Sequence, residues 1–200
     1  MPVTINGNGS ITGLSVGGLP NGTVDADTLA TNSVTTVKIA DGAATDVKQG
    51  AGSVVQMQNV TISNDNTREY TTTGSWLDNY STTNQYQRID FTPKFSNSKL
   101  LILAAGTTRY VANSNGQAGY AQIRIIDATN SNTQVGYSKY AMYAYTGGHN
   151  RDSGAWTCMA YINASSTSLR RYTCQYYFDG AQTYYVGNEG DSITVMEIKV

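Results

Sequence analysis

The chain has 200 residues, with 13 Lys and Arg against 14 Asp and Glu, so its formal net charge is −1. This balance, without any basic tract, excludes the electrostatic footprint of a nucleic-acid-binding protein. The longest apolar run, residues 100–105, is too short to cross a membrane. Charged residues form 14% of the chain, against about 25% in ordinary soluble domains. Thr, Ser, Asn, Gly and Tyr replace them, a composition common in extracellular and virion β-proteins.

The first 22 residues contain six glycines between short apolar–polar alternations. This pattern predicts extended chain with turns, which cannot form a core alone. We therefore expect residues 1–22 to be the end that docks on other proteins. The segment also lacks the basic and apolar regions of a secretory signal, so we expect export by another route, such as cell lysis.

A five-residue repeat follows, and it organises the N-terminal part of the chain. Its members are small or aliphatic: Leu14, Leu19, Val24, Leu29, Val34, Ile39 and Ala44. A step of five matches neither the helical period near 3.6 nor the strand period of 2, so one copy cannot bury these residues against itself. Repeats become stable when neighbouring units or chains share a core. We predict a stalk over residues 14 to about 48 in which several chains, most simply three, pool these rows. The alternative is a flexible Gly/Ser/Thr linker.

The aromatic residues mark a domain boundary. Tyr, Trp and Phe are absent from residues 1–52 and occur twenty times in residues 53–200. The Gly-Ala-Gly sequence at residues 50–52 supplies a flexible joint between the two compositions. We predict an N-terminal anchoring and trimerising stalk at residues 1–52 and a C-terminal head at residues 53–200.

The head has strand character throughout. Nine segments read as strands between turn signals, and no stretch keeps a helical period: 54–63, 86–92, 99–110, 119–127, 133–145, 155–162, 169–179, 183–186 and 192–198. Short antiparallel strands with one buried face each predict an all-β, two-sheet sandwich of the jelly-roll type.

The two cysteines lie in neighbouring strand segments. If residues 156–162 and 170–178 pair as a hairpin centred on Ser166, then Cys158 faces Cys174 directly. A disulfide between adjacent strands is often strained. We expect two small buried thiols in preference to a disulfide.

Catalytic and metal-binding patterns are missing from the sequence. His149 is the only histidine, which excludes a multi-histidine metal site. Its neighbours Asp152 and Ser153 do not make a triad, because triads are assembled by geometry from separated positions. Acidic residues are scattered singly and follow no calcium-loop spacing. We expect no cofactor, no metal and no enzymatic activity.

Fifteen tyrosines offer flat rings with hydrogen-bonding tips, which suit contact with sugars and protein surfaces. We expect most of them to fill the core or a subunit interface. The polar, Gly-rich loop at residues 146–154 and its flanking aromatics are predicted to form an exposed recognition surface. Its residues are Tyr143, Tyr145, His149, Asn150, Arg151, Asp152 and Trp156.

Two stretches carry a resemblance to a known class of proteins. Residues 22–35, Gly-Thr-Val-Asp-Ala-Asp-Thr-Leu-Ala-Thr-Asn-Ser-Val-Thr, and residues 38–43, Lys-Ile-Ala-Asp-Gly-Ala, resemble the N-terminal repeats of tail fibre proteins from tailed bacteriophages, particularly marine ones. Residues 191–198 resemble the closing strand of small C-terminal domains on such virion proteins. The resemblance implies a homotrimer that docks on the virion through residues 1–22. It carries over no catalytic residue and leaves the middle of the chain unmatched.

These observations favour a tail fibre or receptor-binding subunit that attaches to a host surface glycan or protein through several weak sites. We expect the protein to be made in the host cytoplasm, released by lysis and located on the virion, at the tail or the surface, without membrane insertion. A capsid or tail decoration protein without receptor binding is the structural alternative. A small glycan depolymerase is the enzymatic one, and it would need an acidic pair in a groove.

Overall fold

A computed structural model divides the chain into two compact units, Met1–Lys48 and Gln49–Val200. It describes residues 4–5, 7, 11–12, 24, 27, 29–31, 33–35, 39, 43, 45–62, 68–71, 74–78, 87–111, 118–145, 151–179, 183–186 and 189–200. The side chains of residues 4–5, 11–12, 68, 118, 139–145 and 151–152 are not described. Over these residues the secondary structure is all-β, and no helix long and apolar enough to cross a membrane is found.

In the first unit, two short strands form an antiparallel pair, β1 (Thr4–Ile5) and β2 (Ile11–Thr12). Ile5 lies opposite Ile11. A two-stranded ribbon of this length is marginal by itself in water.

The second unit contains eleven strands among its described residues. They are β3 (Val54–Thr61), β4 (Arg68–Tyr70), β5 (Trp76–Asp78), β6 (Arg88–Phe91), β7 (Lys99–Val111), β8 (Ala118–Asp127), β9 (Thr133–Tyr145), β10 (Arg151–Asn163), β11 (Arg170–Asp179), β12 (Thr183–Val186) and β13 (Ser192–Ile198). Each of the nine predicted segments overlaps one of these strands, and β7, β8 and β10 extend beyond their predicted bounds. The sequence reading missed β4 and β5, which have three residues each.

Two antiparallel sheets make up the head and confirm the predicted β-sandwich. The first sheet has the strand order β3-β13-β7-β10. In the same sheet, β12 pairs with residues 109–111 of β7, and β4 pairs with β12. The second has the order β6-β11-β8-β9, with β5 beside β6 along β11. The chain changes sheets between β6 and β7, β7 and β8, β9 and β10, and β10 and β11, whereas β8 and β9 form a hairpin within the second sheet.

The predicted cysteine hairpin is wrong. Strand β10 pairs along its whole length with β7, and β11 pairs with β8, so the two segments lie in opposite sheets. Residues 164–169 carry the chain from one sheet to the other. The Ala164 N–H donates to the Ser98 carbonyl over 2.9 Å, and Ser165 adopts a φ of 59°. Both cysteines are buried and free, as expected, and burial raises the pKa of Cys158 to about 11.

Aromatic rings fill much of the space between the sheets. Phe178 of β11 stacks on Tyr184 of β12 with centroids 4.3 Å apart, and Tyr184 meets Tyr110 of β7 edge-on at 5.5 Å. Five described tyrosines are buried: Tyr70, Tyr110, Tyr172, Tyr176 and Tyr184. The expectation that tyrosines fill the core is confirmed for these five.

The buried carboxylate of Glu197 stabilises the turn between β6 and β7 through hydrogen bonds. Glu197 of β13 is fully buried and accepts hydrogen bonds from Lys94 N–H (2.8 Å), Phe95 N–H (2.9 Å), the Ser98 hydroxyl (2.6 Å) and the Gln56 amide (2.6 Å). Burial pushes the pKa of Glu197 upward, but the four donors outweigh it and hold the pKa below its ordinary value. The side chain is therefore charged and fully satisfied at neutral pH.

Gly119 lies where β8 passes close to the buried rings of Tyr110 and Tyr184. A methyl group there would collide with the Tyr184 hydroxyl and would lie 2.8 Å from Cε2 of Tyr110. Both rings are held in the core, so we expect Gly119→Ala to lower the free energy of unfolding by about 1–3 kcal/mol. Urea unfolding measures the change. Gly50→Ala is the control, because nothing lies within 4 Å of a methyl group there. Equal effects at the two positions would contradict this packing.

Candidate functional site

The predicted recognition loop is shorter in the structure than the sequence indicated. Strand β10 begins at Arg151, and residues Arg151–Gly154 pair with β7, so the prediction that the loop extends to Gly154 is wrong. Tyr143 and Tyr145 lie in β9, opposite Tyr120 and Ala118 of β8. The side chains of Tyr143, Tyr145, Arg151 and Asp152 are not described, and His149 and Asn150 lie outside the described residues. Their role in recognition stays a prediction.

Trp156 does not belong to an exposed surface, and this part of the prediction is wrong. Its side chain is 4% exposed, and it packs edge-on against Tyr176 of β11 at 5.8 Å. The alternation along β10 explains the burial, because Trp156 shares the inward face with Cys158 and Ala160.

A different surface brings together aromatic and polar side chains: the outer face of the second sheet. Strand β11 contributes Thr173, Gln175 and Tyr177 there, and its neighbours place partners beside each one. The register gives three rows across the sheet: Arg88–Thr173–Ile126, Asp78–Gln175–Arg124 and Trp76–Tyr177–Gln122. Tyr137 of β9 extends the middle row beside Arg124. We call these ten residues the aromatic face.

Trp76 is at the centre of the ring contacts on this face. The Arg124 guanidinium lies over its ring at 4.3 Å, the arrangement of a cation–π pair. Tyr177 tilts against it at 5.6 Å, and Tyr137 meets it edge-on at 6.2 Å. Trp76 is half-buried and Tyr137 is 43% exposed, so aromatic surface remains open to solvent.

A polar network fixes the middle row of the aromatic face. Arg124 Nε donates to Gln175 Oε1 over 2.7 Å, and Gln175 Nε2 donates to Asp78 Oδ1 over 2.5 Å. The Tyr137 hydroxyl donates to Gln122 Oε1. Burial lowers the pKa of Arg124 and the nearby Asp78 carboxylate opposes that shift. The Arg124 guanidinium is therefore held in place by both the Trp76 ring and the Gln175 side-chain amide.

Two arginines share one carboxylate beside this network. Arg171 contacts Asp90 bidentately, with Nε and Nη2 at 2.8 and 2.9 Å, and Arg88 approaches the same carboxylate at 3.4 Å. The hydrogen bond from Arg171 is the main reason that the pKa of Asp90 is lowered from 3.8 to about 2. Asp90 therefore stays ionised over the physiological range and neutralises part of the positive charge.

A cavity of about 150 Å³ opens next to these groups. It is lined by Asp78, Arg88, Ile126, Ala128, Asn132, Arg171 and Thr173. Thr173 is 5% exposed, and its hydroxyl has no hydrogen-bond partner among the described residues. A second cavity of about 310 Å³ shares Arg88 and is otherwise lined by β3 and β6. Burying a hydroxyl without a hydrogen-bond partner costs free energy, so Thr173 is an unusual residue in this wall of the cavity.

The outer face of the first sheet is apolar instead. One row across it reads Met57–Met196–Leu101–Tyr161, and the next reads Asn59–Thr194–Leu103–Met159. Met57, Leu103, Met159 and Tyr161 are all exposed, and neither row contains a charged residue. We call these eight residues the apolar patch. Patches of this kind mark interaction surfaces.

The predicted stalk residues that the structure describes are all exposed within a single chain. Their exposed fractions are 50% for Val24, 44% for Leu29, 53% for Val34 and 48% for Ile39. Leu14, Leu19 and Ala44 lie outside the described residues. Four aliphatic side chains at a constant step therefore keep about half of their surface exposed within the described part of the chain.

Over the part of the chain that the structure describes, no three His, Cys, Asp or Glu side chains group in a way that could hold a metal ion. Two of the described carboxylates are held by neighbouring groups. Asp127 pairs with Arg170 at 2.6 Å, and Asp191 accepts from the Thr107 N–H at 2.9 Å. These arrangements serve the fold.

No family of known proteins matches the sequence, and no curated protein matches it either. Among solved structures, the chain is similar to the VP2 subviral particle of infectious bursal disease virus, with a TM-score of 0.35 and 13% identity over 72% of this chain and 32% of that one. The Gx strain of that virus gives 0.34 and 12%, over 72% and 36%. A CocE/NonD family hydrolase from Staphylococcus aureus gives 0.29 and 13%, over 70% and 34%. The chain spans about a third of each, and likeness at this level supports no inference about activity.

Proposed function

We propose that the protein is a trimeric, non-enzymatic virion subunit that attaches to a host surface through several head domains on one stalk. The observation that carries this proposal is the exposure of Val24, Leu29, Val34 and Ile39 at five-residue steps. Exposed aliphatic rows of this regularity call for partners, and sister copies of the same chain supply them in register. The resemblance of residues 22–43 to phage tail fibre repeats agrees with this assignment.

The apolar patch supports the association of copies at the level of the head. Its centre holds Met, Leu and Tyr without charge, which is the composition of an interface core. We assign it to contact with a neighbouring head. Once a stalk holds three chains together, this second contact forms at a high effective concentration, so the patch need not hold the heads together alone.

The aromatic face lies on the opposite sheet from the apolar patch and remains open when heads meet through the patch. The carboxylates whose ion pairs or buried hydrogen bonds are described above stabilise the fold. An open aromatic face, together with carboxylates in structural roles, favours reversible attachment over bond cleavage. A trimer with three such faces would bind a surface by avidity.

The test compares the full chain with Val34→Asp/Ile39→Asp on an array of immobilised bacterial surface polysaccharides and on whole cells. We expect the wild-type chain to be retained and the stalk variant to lose apparent affinity by about 10²–10⁴-fold, the usual gain from multivalency. Thr35→Asp, an exposed neighbour outside the repeat, is the matched control and should bind like wild type. Absence of binding to every surface, or equal binding by the stalk variant, would refute the proposal.

A further inference from the structure

The aromatic face carries half-open rings and a polar cavity, and we propose that it binds a short uncharged segment of a surface glycan. This inference deepens the proposed function and rests on it, since it names the head surface and the ligand class. The site consists of the half-open rings of Trp76 and Tyr137 and of the 150 Å³ cavity on the same face. The Asp78–Gln175–Arg124 row lies between Trp76 and the cavity wall at Thr173, so the rings and the cavity would hold different sugar units.

The rings supply the apolar part of recognition. One side of a pyranose ring presents C–H groups, and aromatic surfaces with a fixed orientation are suited to contact them. Arg124 and Tyr177 hold Trp76 in place at 4.3 and 5.6 Å, so little side-chain freedom is lost on binding. Tyr137 stands at the edge of Trp76 and stays exposed.

The cavity supplies the polar part. Asp78 and Asn132 line it with a carboxylate and an amide, planar groups that match the paired hydroxyls of a sugar. The buried hydroxyl of Thr173 has no protein partner among the described residues, and a small rearrangement on binding would let a ligand hydroxyl satisfy it. A volume of about 150 Å³ is the size that accommodates one six-membered ring.

The charges favour an uncharged ligand. Arg88 and Arg171 are both committed to Asp90, and Asp78 lies in the network of Arg124 and Gln175. Three arginines against two aspartates leave a local surplus of one charge. That is far from the basic stripe a nucleic acid needs.

The chain has two tryptophans, which gives a direct optical test. In the full chain carrying Trp156→Phe, only Trp76 emits, and we expect glucose, galactose, N-acetylglucosamine or an oligosaccharide identified on the array to change its emission and protect it from iodide quenching. In Trp76→Phe, only the buried Trp156 emits, and we expect no response. If Trp156→Phe fails to fold, the wild-type response and its loss in Trp76→Phe carry the same information.

Tyr137→Ala provides a second test at an exposed position. Loss of one ring contact predicts about a tenfold weaker Kd for the saccharide, whereas Tyr137→Phe keeps the ring and stays within a few-fold of wild type. Val54→Ala is the matched control, because Val54 is also exposed and apolar but lies at the start of β3, outside the aromatic face and the apolar patch. Binding should change little with salt, since the ligand is uncharged.

Each outcome separates this inference from the proposed function. Retention on cells or glycans with wild-type affinity in both Trp76→Phe and Tyr137→Ala would overturn the saccharide site while leaving attachment intact. Binding to a host protein but to no saccharide would do the same. Failure of the wild-type chain to bind any cell or glycan would overturn both.

Discussion

Replacing Glu197 by glutamine is expected to lower the free energy of unfolding by about 3 kcal/mol, a large share of the roughly 5–15 kcal/mol that stabilises a typical domain. Each carboxylate oxygen accepts one backbone N–H, Lys94 on Oε2 and Phe95 on Oε1. A glutamine amide has only one oxygen. Whichever way it turns, its NH₂ group faces one of these part-buried N–H donors, which then loses its partner.

The pH dependence of this effect has a definite sign. Because the folded pKa of Glu197 is lowered, its contribution to stability is present above the unfolded pKa and is lost as the pH falls through the folded pKa. The stability gap between wild type and Glu197→Gln should therefore shrink on acidification below about pH 4. Urea unfolding at neutral and acidic pH measures it. Glu189→Gln, at an exposed turn, is the control. A constant gap, or an equal loss in the control, would contradict the role of Glu197.

The Val34→Asp/Ile39→Asp variant is expected to sediment with the mass of a single chain, whereas Thr35→Asp keeps the mass of the wild-type assembly. In an isolated chain these side chains are about half exposed, so added carboxylates cost little there. In a trimer, six carboxylates would approach one axis and would have to be desolvated without partners.

The same variant should leave the head intact. Residues Gln49–Val200 form their own compact unit, and the core cluster described for the chain contains none of the described repeat residues Val24, Leu29, Val34 and Ile39. Near-ultraviolet circular dichroism of the aromatic core should therefore match wild type. A variant that keeps the wild-type mass would show that the repeat does not hold the chains together.

The strands of the sandwich could be predicted from the sequence because several of them alternate in side-chain character and β7 contains a short continuous apolar run. In β10, Cys158 and Ala160 point inward while Thr157 and Met159 point outward, and the period of 2 is visible without any partner. The two short strands, β4 and β5, have too few residues to show a period. They exist because β12 and β11 offer them a free edge.

Strand pairing was harder to predict than strand position. The sequence places β10 and β11 next to each other, and local reasoning joins them as a hairpin. The six residues between them instead cross from one sheet to the other, and β10 finds its partner in β7, some fifty residues earlier in the chain. Long-range pairing of this kind leaves no local signal.

The aromatic face could not be predicted for the same reason. Trp76 comes from β5, Arg124 from β8, Tyr137 from β9 and Gln175 from β11, so only the sheet brings them together. Sequence proximity favoured the loop around His149 instead. The available signal was the alternation in β11, which places Thr173, Gln175 and Tyr177 on the face opposite the buried rings.

Sedimentation equilibrium of the intact wild-type chain tests the central claim most directly. If exposed aliphatic side chains in residues 14–48 are buried by sister copies, the mass should be about three times the 21.5 kDa of one chain. A mass of 21.5 kDa, with residues 14–48 still resistant to protease, would show that those side chains are covered within a single chain and would contradict the account.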